Sequence, residues 1–270
     1  MNSMYLIRQW AGVSLLALTA VVSSIGGALA DDSPDAHKRK AAIAAVLQAG
    51  GYIRVVVPKP TADRLERLMI DEVNLRDAEV DNALLIHVGN LKEVRRLDLS
   101  GAEIDDEGVL SIAHLPLREL WLQSTNITDR SAETISKIKT IDFLQLNSNQ
   151  LSDEFLANLK SMPNLRDLGL RGTRVTSDGM AYLARHPKLK ELDVYHTVVD
   201  DAGVESLTEC KSLTFIGLSM TKITENVFPH LARMPNLTDA DLTGNRPIST
   251  DSVLAFERDQ PRIDIEWYRK

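Results

Sequence analysis

The sequence predicts an α/β solenoid, in which short strands and helices alternate in a stack of similar coils. The segment Asn164–Ala184 returns as residues 188–208 and again as residues 212–232, with its apolar positions in the same order. The alternation of Leu168 and Leu170 around a glycine is typical of a short strand with one buried face. A return of this kind after about 24 residues indicates a repeat architecture.

The second half of each repeat has the pattern of a helix. In the same segment, Thr176, Ser177 and Asp178 offer N-cap residues. Met180, Leu183 and Ala184 then follow at the i, i+3, i+4 spacing of an apolar helix face. One such unit cannot bury enough apolar surface to offset the entropy of ordering its backbone, so the units must stack on one another.

Eight repeats are predicted within residues 64–256. The first two align as Ile70-x-x-Val73-x-Leu75 and Val94-x-x-Leu97-x-Leu99. The strand positions of the later repeats are Leu120/Leu122, Leu144/Leu146, Leu168/Leu170, Leu192/Val194, Ile216/Leu218 and Ala240/Leu242. The repeats follow one another after 24 residues, once after 23, and cover about two thirds of the chain.

These repeats resemble the leucine-rich repeat family, whose pattern is L-x-x-L-x-L-x-x-N/C-x-L. Residues 125–129 and 197–203 look most similar to exported bacterial members, which also tend to carry a helix, Gly-Gly and a strand ahead of the repeats, as residues 38–57 do here. The resemblance implies a right-handed leucine-rich-repeat solenoid, a horseshoe with a concave parallel β-sheet and convex helices. It also implies a protein that binds other proteins.

The chain departs from the family pattern at the position that usually holds Asn or Cys. The residues there are Ala78, Ala102, Thr125, Asn149, Thr173, Thr197, Thr221 and Asn245. An Asn amide can bridge two neighbouring turns, whereas a Thr hydroxyl has one donor. We therefore expect a weaker ladder of hydrogen bonds at the Thr repeats and no side-chain ladder at the two Ala repeats.

Residues 1–30 have the pattern of a signal peptide. Arg8 lies in the n-region, an apolar stretch follows over residues 11–22, and Ala28-Leu29-Ala30 offers a cleavage site before Asp31. The alternative is an uncleaved membrane anchor, because residues 10–30 approach the ~20 residues of a spanning helix. The sequence thus predicts export to the periplasm or the cell exterior, with membrane attachment if the leader is retained.

Capping segments are expected at both ends of the stack, since an open end exposes an unpaired strand and the core. Residues 31–63 form a polar lead, a helix over 38–49 and a strand over 52–57. Residues 257–270 form the C-terminal cap, in which residues 263–265 have a strand pattern and Trp267 and Tyr268 can cover the core.

Composition and motifs argue against several functions. The net charge is −7, or −8 without Arg8, which disfavours nucleic acid and anionic membranes as partners. Cys210 is the single cysteine, so no intrachain disulfide can form, and we interpret it as a structural thiol. No phosphate loop, zinc-protease motif or nucleophile elbow occurs. The sequence predicts no cofactor, no metal and no enzyme.

Histidines and paired acids receive structural interpretations. His87, His114, His186 and His230 fall near helix ends, where a protonated ring would favour the helix dipole. Asp105-Asp106 and Asp200-Asp201 sit at helix starts and are interpreted as N-caps. His196 lies beside Tyr195 on the concave rim and is the one histidine that merits a test for a role beyond structure.

The candidate binding residues lie at outward positions of the concave strands. Exposed aromatic residues are common anchors of protein interfaces, and charged neighbours add complementarity. Trp121 and Phe143 are expected to be diagonal neighbours, and Phe215 and Tyr195 to come close to each other. The candidate residues are Trp121, Phe143, Gln145, Arg171, Asp193, Tyr195, Phe215, Asp239 and Asp241.

The leading functional hypothesis is a non-catalytic exported scaffold that binds a protein or peptide. Basic patches of that partner would face the acidic candidate residues of the concave strands. The structural alternative is that the outward side chains are only solvated. A self-assembling cell-envelope protein is the second functional hypothesis, and an enzyme is a distant third. Neither nucleic acid nor a membrane, apart from export, is a predicted partner.

Overall fold

Strands and helices alternate along the chain, as the repeat pattern predicts. A computed structural model describes residues 4–8, 33–56 and 69–267, with only the backbone described for 4–8. The chain divides into two units, Met1–Asn126 and Ile127–Lys270. Among the described residues, no helix combines the length and the apolar character needed to cross a membrane.

The described residues of the first unit form five strands and three helices. The strands are β1 (Met4–Arg8), β2 (Tyr52–Val56), β3 (Met69–Asn74), β4 (Arg96–Asp98) and β5 (Glu119–Trp121). The helices are α1 (Pro34–Gln48), α2 (Asn82–Val88) and α3 (Asp106–Leu110). β1, β2 and β3 pair antiparallel, and β3, β4 and β5 pair in parallel.

The N-terminal segment differs in detail from the sequence expectation. α1 begins at Pro34 rather than near residue 38, because the Ser33 hydroxyl caps it and accepts a hydrogen bond from the Ala36 amide at 3.2 Å. Met4–Arg8, within the predicted leader, forms β1 beside β2. The predicted apolar stretch and cleavage site of the leader lie outside the described residues.

The second unit is a stack of parallel strands with a helix after each of the first five. The strands are β6 (Phe143–Gln145), β7 (Asp167–Gly169), β8 (Glu191–Asp193), β9 (Phe215–Gly217), β10 (Asp239–Asp241) and β11 (Asp264–Glu266). α4 (Ala132–Lys137) precedes β6, and α5 (Asp153–Leu159), α6 (Ser177–Leu183), α7 (Asp201–Leu207), α8 (Phe228–Arg233) and α9 (Thr250–Asp259) follow the strands in turn. Neighbouring strands pair in parallel, in chain order.

The apolar positions of the repeat form the core, which lies between strands and helices. In the coil of β7, Leu168 is 2% exposed, and Leu165, Leu170, Val175 and Met180 are fully buried. The middle residue of each strand points into this core, so the first and third strand residues face the other side. The predicted solenoid, with parallel strands on one face and helices on the other, is confirmed.

Acidic residues at the helix starts have two distinct roles. The carboxylates of Asp105 and Asp200 accept hydrogen bonds from amides at the starts of their own helices, which confirms them as N-caps. The following acid instead reaches the next coil. Asp201 accepts hydrogen bonds from the amide and the hydroxyl of Thr224 at 2.9 and 2.6 Å. Asp153 holds Thr176 in the same way, at 2.8 and 2.6 Å.

At the position that usually holds Asn or Cys, the hydrogen bonds follow the number of donors on the side chain. The hydroxyls of Thr173 and Thr197 donate only to carbonyls of their own coils, at 2.6 and 2.8 Å. The amide of Asn245 donates to the carbonyl of Leu242 in its own coil and to that of Leu218 in the preceding one. The ladder is therefore weaker at these Thr coils, as expected.

The turn after each of the strands β3 to β10 contains one residue with a left-handed backbone. These eight residues are Asp77, Gly101, Ser124, Ser148, Gly172, His196, Met220 and Gly244, with φ between 52° and 79°. Only three of them are glycine, so the other five adopt a conformation that a Cβ disfavours. The repeat geometry, rather than the local residue, sets this turn.

The C-terminal end continues the parallel sheet by one more strand. α9 extends to Asp259, and β11 then pairs with β10. Ile263 and Ile265 are 2% and 7% exposed, so they cover the core as the strand pattern predicts. Trp267 is partly exposed, and Tyr268 lies outside the described residues.

Candidate binding face on the strands

The second unit presents three rows of side chains on the side of its strands opposite the core, here called the strand face. The first row is Phe143, Asp167, Glu191, Phe215, Asp239 and Asp264, and the second is Gln145, Gly169, Asp193, Gly217, Asp241 and Glu266. The third row, two residues beyond the strand ends, is Asn147, Arg171, Tyr195, Ser219 and Thr243. Because the strands are in register, members of one row are close neighbours.

The predicted binding residues of this unit all belong to these rows. Phe143, Gln145, Asp193, Phe215 and Asp241 are partly exposed. Arg171 and Asp239 are exposed, and Tyr195 is partly exposed. Phe215 lies in the first row between Glu191 and Asp239. Tyr195 lies in the third row, so the two aromatic residues are two rows apart instead of adjacent.

Tyr195 is instead held by an ion pair and a methionine. The guanidinium of Arg171 lies 5.8 Å from the centre of the Tyr195 ring and donates to the Asp193 carboxylate at 2.6 Å. The Tyr195 hydroxyl approaches Sδ of Met220 at 3.1 Å. The His196 ring is tilted by 57° against Tyr195, at 5.9 Å between centroids. These contacts fix the Tyr195 ring beside the strand ends.

Two carboxylates in the first row are close enough to compete for a proton. Partial burial, together with the neighbouring Glu191 and Asp142 carboxylates, raises the pKa of Asp167 to about 6. Like charges in adjacent positions of a row disfavour simultaneous ionisation. This part of the strand face is therefore sensitive to pH in the mildly acidic range.

Glycines in the second row create space that neighbouring polar side chains occupy. A Cβ at Gly169 would lie 1.9 Å from Oε1 of Gln145, and one at Gly217 would lie 2.8 Å from Cγ of Asp193. Gln145 and Asp193 thus lean over the glycine of the next strand. This coupling was not predicted, although the alternation of glycine with polar residues in this row is visible in the sequence.

A cavity of about 660 Å³ lies at the C-terminal end of the third row. Its lining residues are Arg171, Tyr195, Ser219, Met220, Asp241, Thr243, Gly244, Asn245, Arg246 and Trp267. This volume falls in the range of ~300–1,000 Å³ typical of small-ligand pockets. Three of these residues, Arg171, Tyr195 and Asp241, are among the predicted binding residues, but the sequence did not predict the cavity.

The strand face of the first unit is largely occupied by internal ion pairs. Glu72 is 8% exposed and pairs with Arg54 at 3.0 Å and with Arg96 at 3.3 Å. Asp98 is 6% exposed and pairs with Arg76 at 3.0 Å. Trp121, the one predicted binding residue of this unit, is partly exposed. Trp121 and Phe143 belong to different units.

Within the described ranges, no group of His, Cys, Asp or Glu side chains has an arrangement that could hold a metal ion. His186 is 4% exposed, and its Nε2 donates to the Met162 carbonyl at 3.0 Å. Burial lowers the pKa of His186, which disfavours the protonated ring at this position. Burial also raises the pKa of the Cys210 thiol, which lies 3.8 Å from the His186 carbonyl.

Comparison with known proteins agrees with this arrangement. Residues 93–113 and 185–207 match the family model for the leucine-rich repeat, one segment in each unit. Together with the coils of strand, turn and helix, these matches identify leucine-rich repeats in both units. No curated protein matches the chain significantly.

The solved structures to which the chain is similar have low sequence identity to it. Internalin C2 from Listeria monocytogenes is 22% identical, with a TM-score of 0.57 over 74% of this chain and 81% of that one. An internalin F structure from the same organism is 19% identical, with a TM-score of 0.49 over 67% and 56%. The ectodomain of the Arabidopsis thaliana receptor kinase GASSHO1/SCHENGEN3, solved with CASPARIAN STRIP INTEGRITY FACTOR 2, is 16% identical, with a TM-score of 0.40 over 60% and 20%.

Proposed function

We propose that this protein is an exported, non-catalytic scaffold that binds a protein or peptide on the strand face of its second unit. The observation that carries the proposal is the first row, where partly exposed Phe143 and Phe215 lie among Asp167, Glu191 and Asp239. Aromatic anchors with a charged surround are typical of protein interfaces. On the strand face of the first unit, by contrast, Glu72 and Asp98 are already paired with arginines.

The rigidity of the surface supports a binding role. Each outward side chain stands on a strand whose middle residue is buried, and Leu192 and Ile216 are fully buried beneath the Phe215 region. A partner would therefore lose little free energy in ordering this surface. The non-catalytic assignment rests on the repeat class and on the motifs of the sequence, which point to no reaction.

Site-specific photocrosslinking tests which face binds. A benzoylphenylalanine at Phe215 should crosslink a discrete partner in the native host, and the product should disappear with the additional change Phe143→Ala. The matched control is the same group at Tyr182, an exposed aromatic residue on α6, on the opposite side of the coil. Crosslinking from Tyr182 but not from Phe215 would contradict the proposed surface.

Export has its own test. Residues 1–30 fused ahead of an alkaline phosphatase, which is active only outside the cytoplasm, should give activity, and the mature chain should begin at Asp31. Changing Leu15 and Leu16 to Asp should abolish export by interrupting the apolar stretch. Full activity of that variant would contradict the leader assignment, without affecting the assignment of the binding face.

A further inference from the structure

Two arginine–aspartate pairs on the strand side share one geometry. Arg76 pairs with Asp98 at 3.0 Å in the first unit, and Nε of Arg171 donates to Asp193 at 2.6 Å in the second. In both pairs the arginine occupies the third-row position of one coil and the aspartate the second-row position of the next, 22 residues later. The repeat therefore builds a standard place for a guanidinium beside this aspartate.

Asp241 occupies the same second-row position but has no arginine. The residue 22 positions earlier is Ser219. Oδ1 of Asp241 accepts from the Thr243 amide at 2.9 Å, just as Oδ1 of Asp193 accepts from the Tyr195 amide at 3.0 Å. Oδ2 of Asp193 takes the guanidinium. In the described part of the chain, no cation pairs with Asp241.

The place left beside Asp241 is part of the cavity and contains unpaired hydroxyl groups. Ser219 is 2% exposed, and its Oγ has no hydrogen-bond partner among the described residues. Oγ1 of Thr243 is buried and likewise unpartnered there. Ser219, Asp241 and Thr243 all line the same cavity. Because an unpaired buried hydroxyl costs free energy, these groups are suited to a polar ligand.

We infer that the cavity receives an arginine side chain of the protein or peptide partner, with its guanidinium beside Asp241 in the place that Arg171 takes beside Asp193. This inference rests on the proposed function and specifies the chemistry of the partner. A planar guanidinium carries five donors, enough for the Asp241 carboxylate and for the two free hydroxyls.

The walls of the cavity also suit a guanidinium. In the lining, the guanidinium of Arg171 lies over the Tyr195 ring, and Trp267 provides a second aromatic ring. Arginine is weakly hydrated and stacks on aromatic rings, so it tolerates such a site better than a lysine does. Arg246, which also lines the cavity, is exposed and makes no ion pair with Asp241 among the described residues.

The test uses the full chain and two small probes, Nα-acetyl-arginine amide and its neutral isostere Nα-acetyl-citrulline amide. In an NMR titration, the arginine probe should shift the amide signals of Ser219, Met220 and Thr243 in a saturable way. The citrulline probe should bind at least about tenfold more weakly than the arginine probe, because it lacks the charge that pairs with Asp241. Equal binding of the two probes would overturn the inference.

Variants distinguish binding of the arginine probe in the cavity from its attraction by the general negative charge of the protein. Asp241→Asn should weaken the arginine probe about tenfold or more. Ser219→Arg should abolish binding by supplying the missing guanidinium within the chain. Asp251→Asn, which removes an exposed carboxylate on α9, outside the strand face, should leave the affinity for the arginine probe unchanged within about twofold. Circular dichroism establishes that each variant is folded, and if Ser219→Arg does not fold, Asp241→Asn decides.

The outcomes distinguish this inference from the proposed function. If the arginine probe binds as expected but Phe215 crosslinks no partner, the cavity stands and the protein-binding role fails. If Phe215 crosslinks a partner whose capture is unaffected by Asp241→Asn, the role stands and the arginine inference is wrong.

Discussion

Single residues in this protein often act between coils instead of within one. Asp201 lies in the first turn of α7, where an acid is expected to favour the helix dipole, yet its carboxylate also holds both donors of Thr224 in the next coil. Asp153 and Thr176 show the same arrangement two repeats earlier. In both coils the acid directly after the N-cap therefore connects neighbouring coils, which a cap assignment alone does not describe.

Asp201→Ala should lower the free energy of unfolding by about 2 kcal/mol, because it leaves two donors of Thr224 without their charged acceptor. The control is Asp178→Ala, because Asp178 is an exposed acid in the first turn of α6 whose carboxylate makes no hydrogen bond or ion pair to another coil among the described residues. It should cost less than about 0.5 kcal/mol, the typical cost of a surface substitution. Urea denaturation measures both, and equal losses would contradict the inter-coil role.

The Asp167–Glu191 pair makes stability depend on pH. Because burial and Glu191 raise the pKa of Asp167 from 3.8 to about 6, the folded chain holds this proton more tightly than the unfolded chain. The corresponding stability is fully present below pH 3.8 and is lost as the pH rises through about 6.

Asp167→Asn should therefore stabilise the protein at pH 7 by about 1 kcal/mol, a value that allows for solvent screening of a partly exposed group. The difference from the parent protein should shrink as the pH falls and vanish near pH 4. Urea midpoints at pH 4, 5, 6 and 7 measure it. A difference that stays constant over this range would show that Asp167 and Glu191 do not share a proton.

At the scale of the element, the turns after the strands set how strongly neighbouring coils are joined. Asn245 joins its coil to the preceding one through the Leu218 carbonyl and also accepts from the Thr221 amide at 3.0 Å. Thr197, at the same position two coils earlier, reaches only Val194 in its own coil. The connection between coils is thus uneven along the second unit.

Thr197→Asn should add the missing connection, from the new amide to the Leu170 carbonyl and from the Thr173 amide to the new oxygen. We expect a gain of about 1 kcal/mol in the free energy of unfolding, the usual net value of a buried hydrogen bond. Thr197→Val is the control and should destabilise, because the Val194 carbonyl loses its donor. A destabilised Asn variant would indicate that this turn lacks room for the larger side chain.

At the scale of the whole molecule, the sequence predicts the architecture well because periodicity is redundant. Leu168, Leu192 and Ile216 each mark the same core position, so an irregular coil such as that of Ala240 does not obscure the period. The positions of the outward residues follow from the alternation within each strand. The binding role of those residues does not follow from it, because a repeat pattern describes what is buried.

The cavity could not be predicted from any one repeat. The cavity is present where Ser219 replaces the arginine that two other coils carry at this position. It is also lined by Trp267, which lies beyond the last repeat. Part of this information is in the sequence, because the third-row residue of one coil can be compared with the second-row aspartate of the next coil. The burial of Ser219 and its unpaired hydroxyl required coordinates.

The last strand should matter to the stack more than its length suggests, because a coil is stable only against a neighbour. β11 covers the edge of β10, and it brings Ile263 and Ile265 onto the core. Arg262 also donates to the Leu237 and Ala232 carbonyls, at 2.8 and 3.0 Å. Deletion of residues 261–270 should therefore lower the free energy of unfolding by about 3–6 kcal/mol, the value of two buried isoleucines.

The deletion should also make the protein associate, since it leaves the edge of β10 unpaired. Urea denaturation and size-exclusion chromatography at increasing concentration measure the two effects. Ile265→Ala is the control, because it removes only core packing and keeps the strand, so it should destabilise without association. A truncated chain that remains monomeric and as stable as the parent would show that β10, and not β11, ends the cooperative stack.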